Sequence, residues 1–345
     1  MSAPRSPPIW ASRQQPRAAS LIPKIELHLH LEGAAPPAFV RGLAGAKSLR
    51  LDSIFDAAGN YSYRGFNDFL RVYEAATSVI RGPQDYAALL RAVLEEAAEQ
   101  GAIYVETFVS PEFCGGADLG AWRDHVAAMS EVAVQMAAQG IDSRAIITPI
   151  RHFGPERARA SARCAVETAS EDGSGWVSGF GLAGDETKGL PKDYAWSFDC
   201  AREAGLGLTC HAGEWCGPDR IRSTWRDLGV SRLGHGVRAI GDADLVRDLA
   251  EAGVTLEVCP GSNVVLGIYP SIADHPIARL VDAGCRVTVS TDDPPFFHTT
   301  LGAEYDALAD AFGWAEDEFR QMNLWAAEAA FCDAATRQRL KEKVS

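Results

Sequence analysis

The clearest candidates for chemistry are histidine and carboxylate side chains that follow short apolar runs. The stretch PKIELHLHLEG, residues 23–33, places His28 and His30 two positions apart, so in a β-strand both side chains point to one face. Three later runs end in CHAGE, GHG and STDDP, and they contribute the remaining candidates: His211, Glu214, His235, Asp292 and Asp293. A single buried histidine is usually a core residue with an ordinary hydrogen-bond partner, and that interpretation applies to any one of these histidines alone.

As a set, these residues favour a metal site. Many buried polar groups without partners would cost several kcal/mol, and a metal ion compensates them directly. Nitrogen and oxygen donors suit zinc, and three or four protein ligands with one open position are typical of a catalytic site. We therefore predict one Zn²⁺ per chain, although iron or cobalt also suits such donors. The predicted ligands are His28, His30, His211 and Asp292.

The other three residues then have predicted catalytic roles. A metal acidifies its bound water, and His235 is expected to take or hold the proton of that water. Asp293 is expected to orient the water, and Glu214 to donate a proton to the substrate. The pattern predicts metal-assisted hydrolysis at an electrophilic carbon.

The elements that must position these residues are eight short apolar runs separated by helical patterns. Strands that alternate with helices indicate parallel strands, and eight units predict a (β/α)₈ barrel of the TIM type, whose active site lies at the carboxyl ends of the strands. We expect extra helices after the first strand, within residues 35–85, and at the C-terminus after residue 300. The predicted strands are residues 24–30, 103–109, 143–149, 176–182, 206–211, 231–236, 253–259 and 285–291.

We predict a flexible N-terminal tail over residues 1–20 and a single domain over residues 21–345. An open doubly wound sheet is the alternative, because GFGLAG matches the dinucleotide fingerprint. Asp185 and Glu186 follow that match at once, where a pyrophosphate would lie, so the match is interpreted as accidental.

Composition narrows the class of partner. The chain has 345 residues with 33 basic and 46 acidic side chains, and the net charge of −13 argues against nucleic acid and anionic membranes as partners. No apolar run approaches the roughly 20 residues of a membrane span. Eight scattered cysteines without a CxxC pair are typical of reduced thiols, so we expect a cytoplasmic protein. The sequence leaves the oligomeric state open.

Five ordered motifs, PKIELHLHLEG, GLAGDE, HAGE, LGHG and STDDP, resemble those of the adenosine/adenine deaminase family over nearly the whole chain. The resemblance implies a (β/α)₈ barrel, one zinc and hydrolytic replacement of the 6-amino group of a small-molecule purine. It also implies the same ligands and the same roles for Glu214, His235 and Asp293. His30 and Asp293 are expected to contact the substrate too, and the Gly184 backbone N–H to bind the purine ring. Two-metal relatives usually carry a bridging lysine where this chain has Gly184 and Asp185, so one metal is expected.

Glu32 bears on which purine is the substrate. Adenosine deaminases commonly carry an aspartate there, which contacts the ribose 5′-hydroxyl, whereas glutamate resembles the adenine deaminases. In contrast, GLAGDE and DDPPFFHTTLGAEY resemble the adenosine branch, although Gly181 replaces a common aspartate. We expect hydrolytic deamination of adenosine and 2′-deoxyadenosine to inosine and ammonia in purine salvage. The alternatives are deamination of adenine to hypoxanthine, or of another 6-aminopurine nucleoside.

The segment 63–80 has apolar residues at helical spacing. It is either a helix that packs on the barrel or a lid with Phe66 and Phe69 facing the base. A protein of another class, a non-catalytic purine-binding protein with the same fold, would have lost at least one catalytic residue. None of the residues above is lost.

Overall fold

The structure is a computed structural model that describes residues 22–51, 54–170 and 175–345. The predicted N-terminal tail, residues 1–20, lies outside the described residues. All eight predicted strands are present as one sheet in the order β1 to β8, and every neighbouring pair is parallel. The strands are β1 Lys24–His30, β2 Ala102–Val109, β3 Asp142–Ile147, β4 Val177–Phe180, β5 Gly207–Ala212, β6 Arg232–His235, β7 Thr255–Val258 and β8 Arg286–Val289.

The sheet closes on itself at the end of β1. The Asp292 amide donates to the His28 carbonyl, and the His30 amide donates to the Asp292 carbonyl, each over 3.0 Å. The predicted (β/α)₈ barrel is confirmed. Several strands end before their predicted limits. Strand β8, predicted over residues 285–291, ends at Val289 because the chain leaves the sheet there to place Asp292 across the seam.

Helices surround the barrel, and the predicted helical patterns are found close to their expected limits. The described residues form these α-helices: α1 Pro37–Ala46, α2 Phe66–Thr77, α3 Pro83–Glu99, α4 Leu119–Ala137, α5 Pro155–Thr168, α6 Ala195–Glu203, α7 Pro218–Leu228, α8 Ala243–Ala252, α9 Pro260–Val265, α10 Ile277–Asp282, α11 Pro294–Phe297, α12 Leu301–Phe312, α13 Glu316–Ala329 and α14 Ala334–Val344.

Helix α8 shows how local sequence fixes these limits. The Asp242 side chain accepts hydrogen bonds from the amides of Asp244 and Leu245, so it caps the first turn. The helix ends at Gly253, whose φ of 68° is a conformation that glycine adopts without strain. Helices α1 and α2 are the expected additions after the first strand, and α12, α13 and α14 form the C-terminal extension expected after residue 300.

The C-terminal extension closes the amino end of the barrel. The Phe331 ring lies against the Cα atoms of Gly179 and Gly207, where any side chain would overlap the ring. The Arg232 guanidinium stacks on the other side, 3.6 Å from the ring centroid. Arg232 also forms ion pairs with Glu106 and Glu257 inside the barrel, and we refer to Arg232, Glu106 and Glu257 as the floor cluster.

None of the helices in the described part of the chain combines the length and apolar character that a bilayer span requires. The cytoplasmic location inferred from the cysteine pattern stays a prediction.

Candidate active site

The carboxyl ends of the strands bring the seven predicted metal and catalytic residues together. His28 and His30 come from β1, His211 from β5, His235 from β6, and Asp292 from the turn after β8. We refer to these five residues, with Glu214 and Asp293, as the mouth cluster. All seven are at most partly exposed, and His28 and His235 are almost fully buried.

The four predicted metal ligands converge on one point. One donor atom from each of His28, His30, His211 and Asp292 lies within 4.8 Å of every other. Asp292 Oδ1 is 3.4 Å from His30 Nε2 and 3.7 Å from His28 Nε2. The buried His28 Nε2 has no hydrogen-bond partner among the described residues. These donors fit a single divalent metal ion, because an orphaned ring nitrogen aimed at two imidazoles and a carboxylate gains a partner when a cation binds.

The protonation state of the imidazoles also suits a metal. Burial lowers the pKa of His30 to about 3, and burial followed by the neighbouring rings lowers the pKa of His28 well below its usual value. Both rings are therefore neutral at pH 7, which is the form that binds metal ions.

Side chains outside the cage fix two of the ligands. Glu257 Oε2 accepts a hydrogen bond from His28 Nδ1 over 2.9 Å, which leaves Nε2 free for the metal. Ser262 Oγ donates to Asp292 Oδ2 over 2.6 Å, which leaves Oδ1 facing the cage. Asp292 itself has a φ of 68°, and His235 a φ of 60°. Non-glycine residues held in this region cost about 1–3 kcal/mol each, and they cluster at functional sites.

Glu214 lies at the inner edge of the mouth, with Oε2 3.8 Å from His235 Nε2. Burial is the main reason that its pKa is raised well above the usual value, and the charges of Asp292 and Glu186 raise it further. Glu214 is therefore protonated near neutral pH and can donate a proton to a substrate.

The loop that carries Glu214 is organised by Glu186. Its two carboxylate oxygens accept hydrogen bonds from four consecutive backbone amides, those of residues 213–216, over 2.6–3.1 Å. Glu186 thus closes the GLAGDE motif and holds the HAGE loop in place. From its place in the sequence, Glu186 was expected only to disfavour a pyrophosphate. The four amides that it binds lie 27–30 residues away in sequence.

Asp293 presents an unused acceptor to the site. Its Oδ1 is buried and has no hydrogen-bond partner among the described residues. Burial and then the charges of Asp292, Glu214 and Glu32 raise its pKa well above the usual value. Gly33 makes room for this carboxyl, because a Cβ atom at Gly33 would overlap Asp293 Oδ1.

A cavity opens above the cage, with about 690 Å³ of empty space that includes open solvent. His30, Glu214, Asp293 and Gly184 line it, as the resemblance implied. Gly184 has a φ of 90°, and an added Cβ would lie 3.0 Å from His152 Nδ1, so a side chain there would be strained and would crowd the wall. Aromatic rings form much of the remaining wall: Phe66, Phe69, Tyr73, Phe113, Phe153 and Phe297.

Helix α2 lines one side of this cavity and buries Phe69, Val72 and Ala76 in the core, as expected for a packed helix, and the lid stays a prediction. Phe66 lies 4.8 Å from the Trp215 ring, and Phe69 lies 5.5 Å from the Phe297 ring. Both phenylalanines line the cavity, which agrees with their predicted position near the base.

Glu32 is placed differently from the other predicted substrate-binding residues. It is buried, and it is absent from the described residues that line the cavity. Its Oε1 accepts hydrogen bonds from the Tyr86 hydroxyl and the Ser110 amide, each over 3.3 Å. Burial raises the pKa of Glu32 to about 7. Direct contact between Glu32 and a substrate stays a prediction.

This chain is similar to known deaminases in sequence and in fold. A family model for adenosine deaminase matches residues 23–345. An adenine deaminase from Rhizobium rhizogenes is 46% identical over 322 residues, which cover 93% of this chain and 98% of that protein. The crystal structure of an adenine deaminase from Arthrobacter aurescens has a TM-score of 0.84 at 26% identity, covering 94% of this chain and 98% of that one.

A zinc-bound amidohydrolase from Burkholderia ambifaria has the same fold, with a TM-score of 0.80 at 21% identity over 97% of this chain and 94% of its own. The family model extends from the first strand to the last residue, and the five motifs lie on the strand ends and loops that build the site. The chain belongs to the adenosine deaminase family.

Proposed function

We propose that this protein is a zinc-dependent adenine deaminase, which converts adenine and water to hypoxanthine and ammonia. The observation that carries the substrate assignment is the 46% identity to adenine deaminases over nearly the full length of both chains. The glutamate at position 32 agrees with that branch. The proposal therefore takes the alternative of the sequence analysis in place of adenosine.

Zinc is proposed as the metal because the donor set is three imidazoles and one carboxylate. A structural neighbour with bound zinc supports the same choice. When held by these ligands, the ion would acidify a bound water molecule, which is the nucleophile of the reaction.

The side chains of the mouth cluster supply the remaining chemistry. We expect protonated Glu214 to donate its proton to ring nitrogen N1 of adenine, which makes the adjacent carbon C6 more electrophilic. The Asp293 carboxyl, whose Oδ1 has no hydrogen-bond partner among the described residues, is expected to orient the attacking water by a hydrogen bond. The water oxygen then bonds to C6 and the bond from C6 to the amino nitrogen breaks. Of the two water protons, one completes the ammonia that leaves and the other replaces the proton that Glu214 gave to N1, so C6 carries the oxygen of hypoxanthine.

The cavity suits a flat base. Aromatic rings from α2, the loop after β2 and α11 surround it, and such rings contact both the faces and the edges of a planar ligand. Gly184 lets the backbone approach the base closely, because a side chain at φ 90° would be strained.

A substrate panel tests the proposal. Zinc-loaded protein is incubated with adenine, adenosine, 2′-deoxyadenosine and N6-methyl variants, and conversion is followed by absorbance and by ammonia release. We expect rapid turnover of adenine. Turnover of adenosine without adenine would contradict the substrate assignment, and no turnover of any 6-aminopurine would contradict the activity itself.

A further inference from the structure

A chain of hydrogen bonds runs from His235 to a backbone amide on the far side of the site. The amide N–H of Ile277 donates to His275 Nδ1 over 3.2 Å. His275 Nε2 and Asn263 Oδ1 are 3.1 Å apart, and Asn263 Nδ2 and His235 Nδ1 are 3.2 Å apart. Asn263, His235 and His275 are all buried, so water does not compete for these bonds.

The backbone amide fixes the direction of every bond in this chain. An amide N–H only donates, so His275 Nδ1 accepts and carries no proton. The proton of neutral His275 therefore lies on Nε2, and burial, which lowers the pKa of His275 to about 3, keeps the ring neutral. His275 Nε2–H donates to the Asn263 side chain, so the atom that faces it is the amide oxygen rather than the NH₂ group.

The same reasoning sets the tautomer of His235. Because the Asn263 oxygen faces His275, its NH₂ group faces His235 and donates to Nδ1. His235 Nδ1 then carries no proton, and the ring proton lies on Nε2. That nitrogen points into the site, 3.8 Å from Glu214 Oε2 and 3.9 Å from Asp292 Oδ2.

We propose that Asn263 and His275 are positioning residues that hold His235 as its Nε2–H tautomer. His235 thus donates a hydrogen bond to the attacking oxygen and has no lone pair on Nε2 to take its proton. This role differs from the sequence expectation that His235 takes the proton of the water. The catalytic part of the inference rests on the proposed function.

The surrounding backbone is built to keep Asn263 in place. Asn263 belongs to the short helix α9, and its carbonyl accepts hydrogen bonds from the amides of Ile268 and Tyr269 over 2.9 and 3.2 Å. The Tyr269 ring packs at 5.0 Å from the His275 ring. Ser262, the preceding residue, holds Asp292. One helical turn thus positions a predicted metal ligand and the catalytic histidine together.

Nitrogen NMR of ¹⁵N-histidine-labelled, zinc-loaded protein tests the tautomer directly, without substrate. We expect His235 Nδ1 to show the resonance of an unprotonated nitrogen and Nε2 that of a protonated one. His235→Gln identifies the resonances by their loss. A protonated Nδ1 in the wild-type protein would overturn the proposal.

Asn263→Leu removes the donor to His235 and keeps a side chain that branches at the same carbon. We expect the ring proton to redistribute between the two nitrogens and kcat for adenine to fall on the order of 10²-fold, as when one transition-state donor is lost. An unchanged tautomer and an unchanged kcat would overturn the positioning role.

Asn323→Leu is the matched control, because Asn323 is buried like Asn263 but lies outside the chain of hydrogen bonds to His235. Its side chain forms three hydrogen bonds, with Ile25, Tyr305 and Phe319. It should lower stability and leave the His235 resonances unchanged.

Two variants of His275 keep the test open if Asn263→Leu does not fold. His275→Gln retains an N–H that can reach Asn263, so the His235 tautomer and most of kcat should survive. His275→Leu has no such donor and should behave like Asn263→Leu. The same His235 tautomer and the same kcat in both His275 variants would contradict the proposed chain of hydrogen bonds. If wild-type protein does not turn over adenine, the proposed function fails, while the NMR result still decides the tautomer.

Discussion

The floor cluster and the mouth cluster lie at opposite ends of the same eight strands. At the floor, the Arg232 guanidinium lies 2.7 Å from Glu106 and 2.6 Å from Glu257, with all three side chains almost fully buried. At the mouth, the basic side chains recorded beside Glu214 and Asp292 among the described residues are histidine rings, 3.4–3.9 Å away, and burial keeps these rings neutral. The floor carries its own positive charge, whereas the mouth leaves buried carboxyls and a ring nitrogen without full compensation.

This difference separates a structural cluster from a functional one. A buried charge with a partner and hydrogen bonds is tolerated, but groups left short of partners persist only where a ligand completes them. Glu257 belongs to both arrangements, because Oε1 meets Arg232 and Oε2 meets His28. The Glu257 carboxylate therefore connects the floor cluster to a predicted metal ligand, His28.

Glu214→Gln gives the largest expected effect and tests the functional end. The amide keeps the shape but cannot transfer the proton, so kcat for adenine should fall roughly 10²–10⁴-fold. Zinc content, measured by atomic emission, should be unchanged because Glu214 is not a predicted ligand. Glu96→Gln, the same change at an exposed position on α3, serves as control. Wild-type turnover in Glu214→Gln would refute the proton-donor role.

Arg232→Met tests the structural end. It leaves Glu106 and Glu257 buried without their cation, and such a loss costs about 3–5 kcal/mol of unfolding free energy. Chemical denaturation measures the change. Arg247→Met removes the exposed ion pair with Asp244 and should leave the free energy of unfolding nearly unchanged, because solvent screens such a pair. Similar losses of unfolding free energy in both variants would show that the buried floor cluster stabilises the fold no more than an exposed ion pair does.

Glu304 is a buried carboxyl with neither an arginine nor a predicted metal, so it sharpens the comparison. It accepts hydrogen bonds only from the Gly261 amide and the Thr299 hydroxyl among the contacts that the structure describes. Burial raises the pKa of Glu304 from 4.5 to about 7. The stabilising contribution of Glu304 to the free energy of unfolding is therefore fully present below pH 4.5, and it is lost as the pH rises through about 7.

Glu304→Gln does not titrate, so the stability difference between wild type and variant should change between these two pH values by about 3 kcal/mol at most. Urea denaturation at several pH values measures this change. A difference that is constant with pH would contradict the raised pKa of Glu304.

Glu257→Gln tests the link between the two clusters, with the smallest expected effect. It weakens the acceptor that orients His28, and loss of such a partner lowers metal affinity about 10–100-fold. Competition with a chromophoric chelator measures the zinc dissociation constant. Glu106→Gln changes the floor without touching His28, so its zinc affinity should stay at the wild-type value. If both variants bind zinc with the wild-type dissociation constant, the floor cluster and the mouth cluster are independent.

Local patterns predicted most of the mouth cluster. His28 and His30 share a strand face, and His211, His235 and Asp292 each follow a strand end, so the barrel topology alone brings them together. The partners of these residues were not predictable in the same way. Glu257 meets His28 from 229 residues away. A buried glutamate in an apolar strand carries no sign in the sequence of which neighbour it faces.

By itself, the sequence determined the eight strands, the extra helices, the family and the identity of the predicted ligands, because these depend on periodicity and on residue types at strand ends. Only the tertiary structure decided that Arg232 closes the floor, that Glu32 lies outside the cavity lining, and that Asn263 and His275 set the tautomer of His235. The physical reason is that hydrogen-bond direction depends on which donor faces which acceptor. That pairing exists only after strands and loops distant in sequence have packed together.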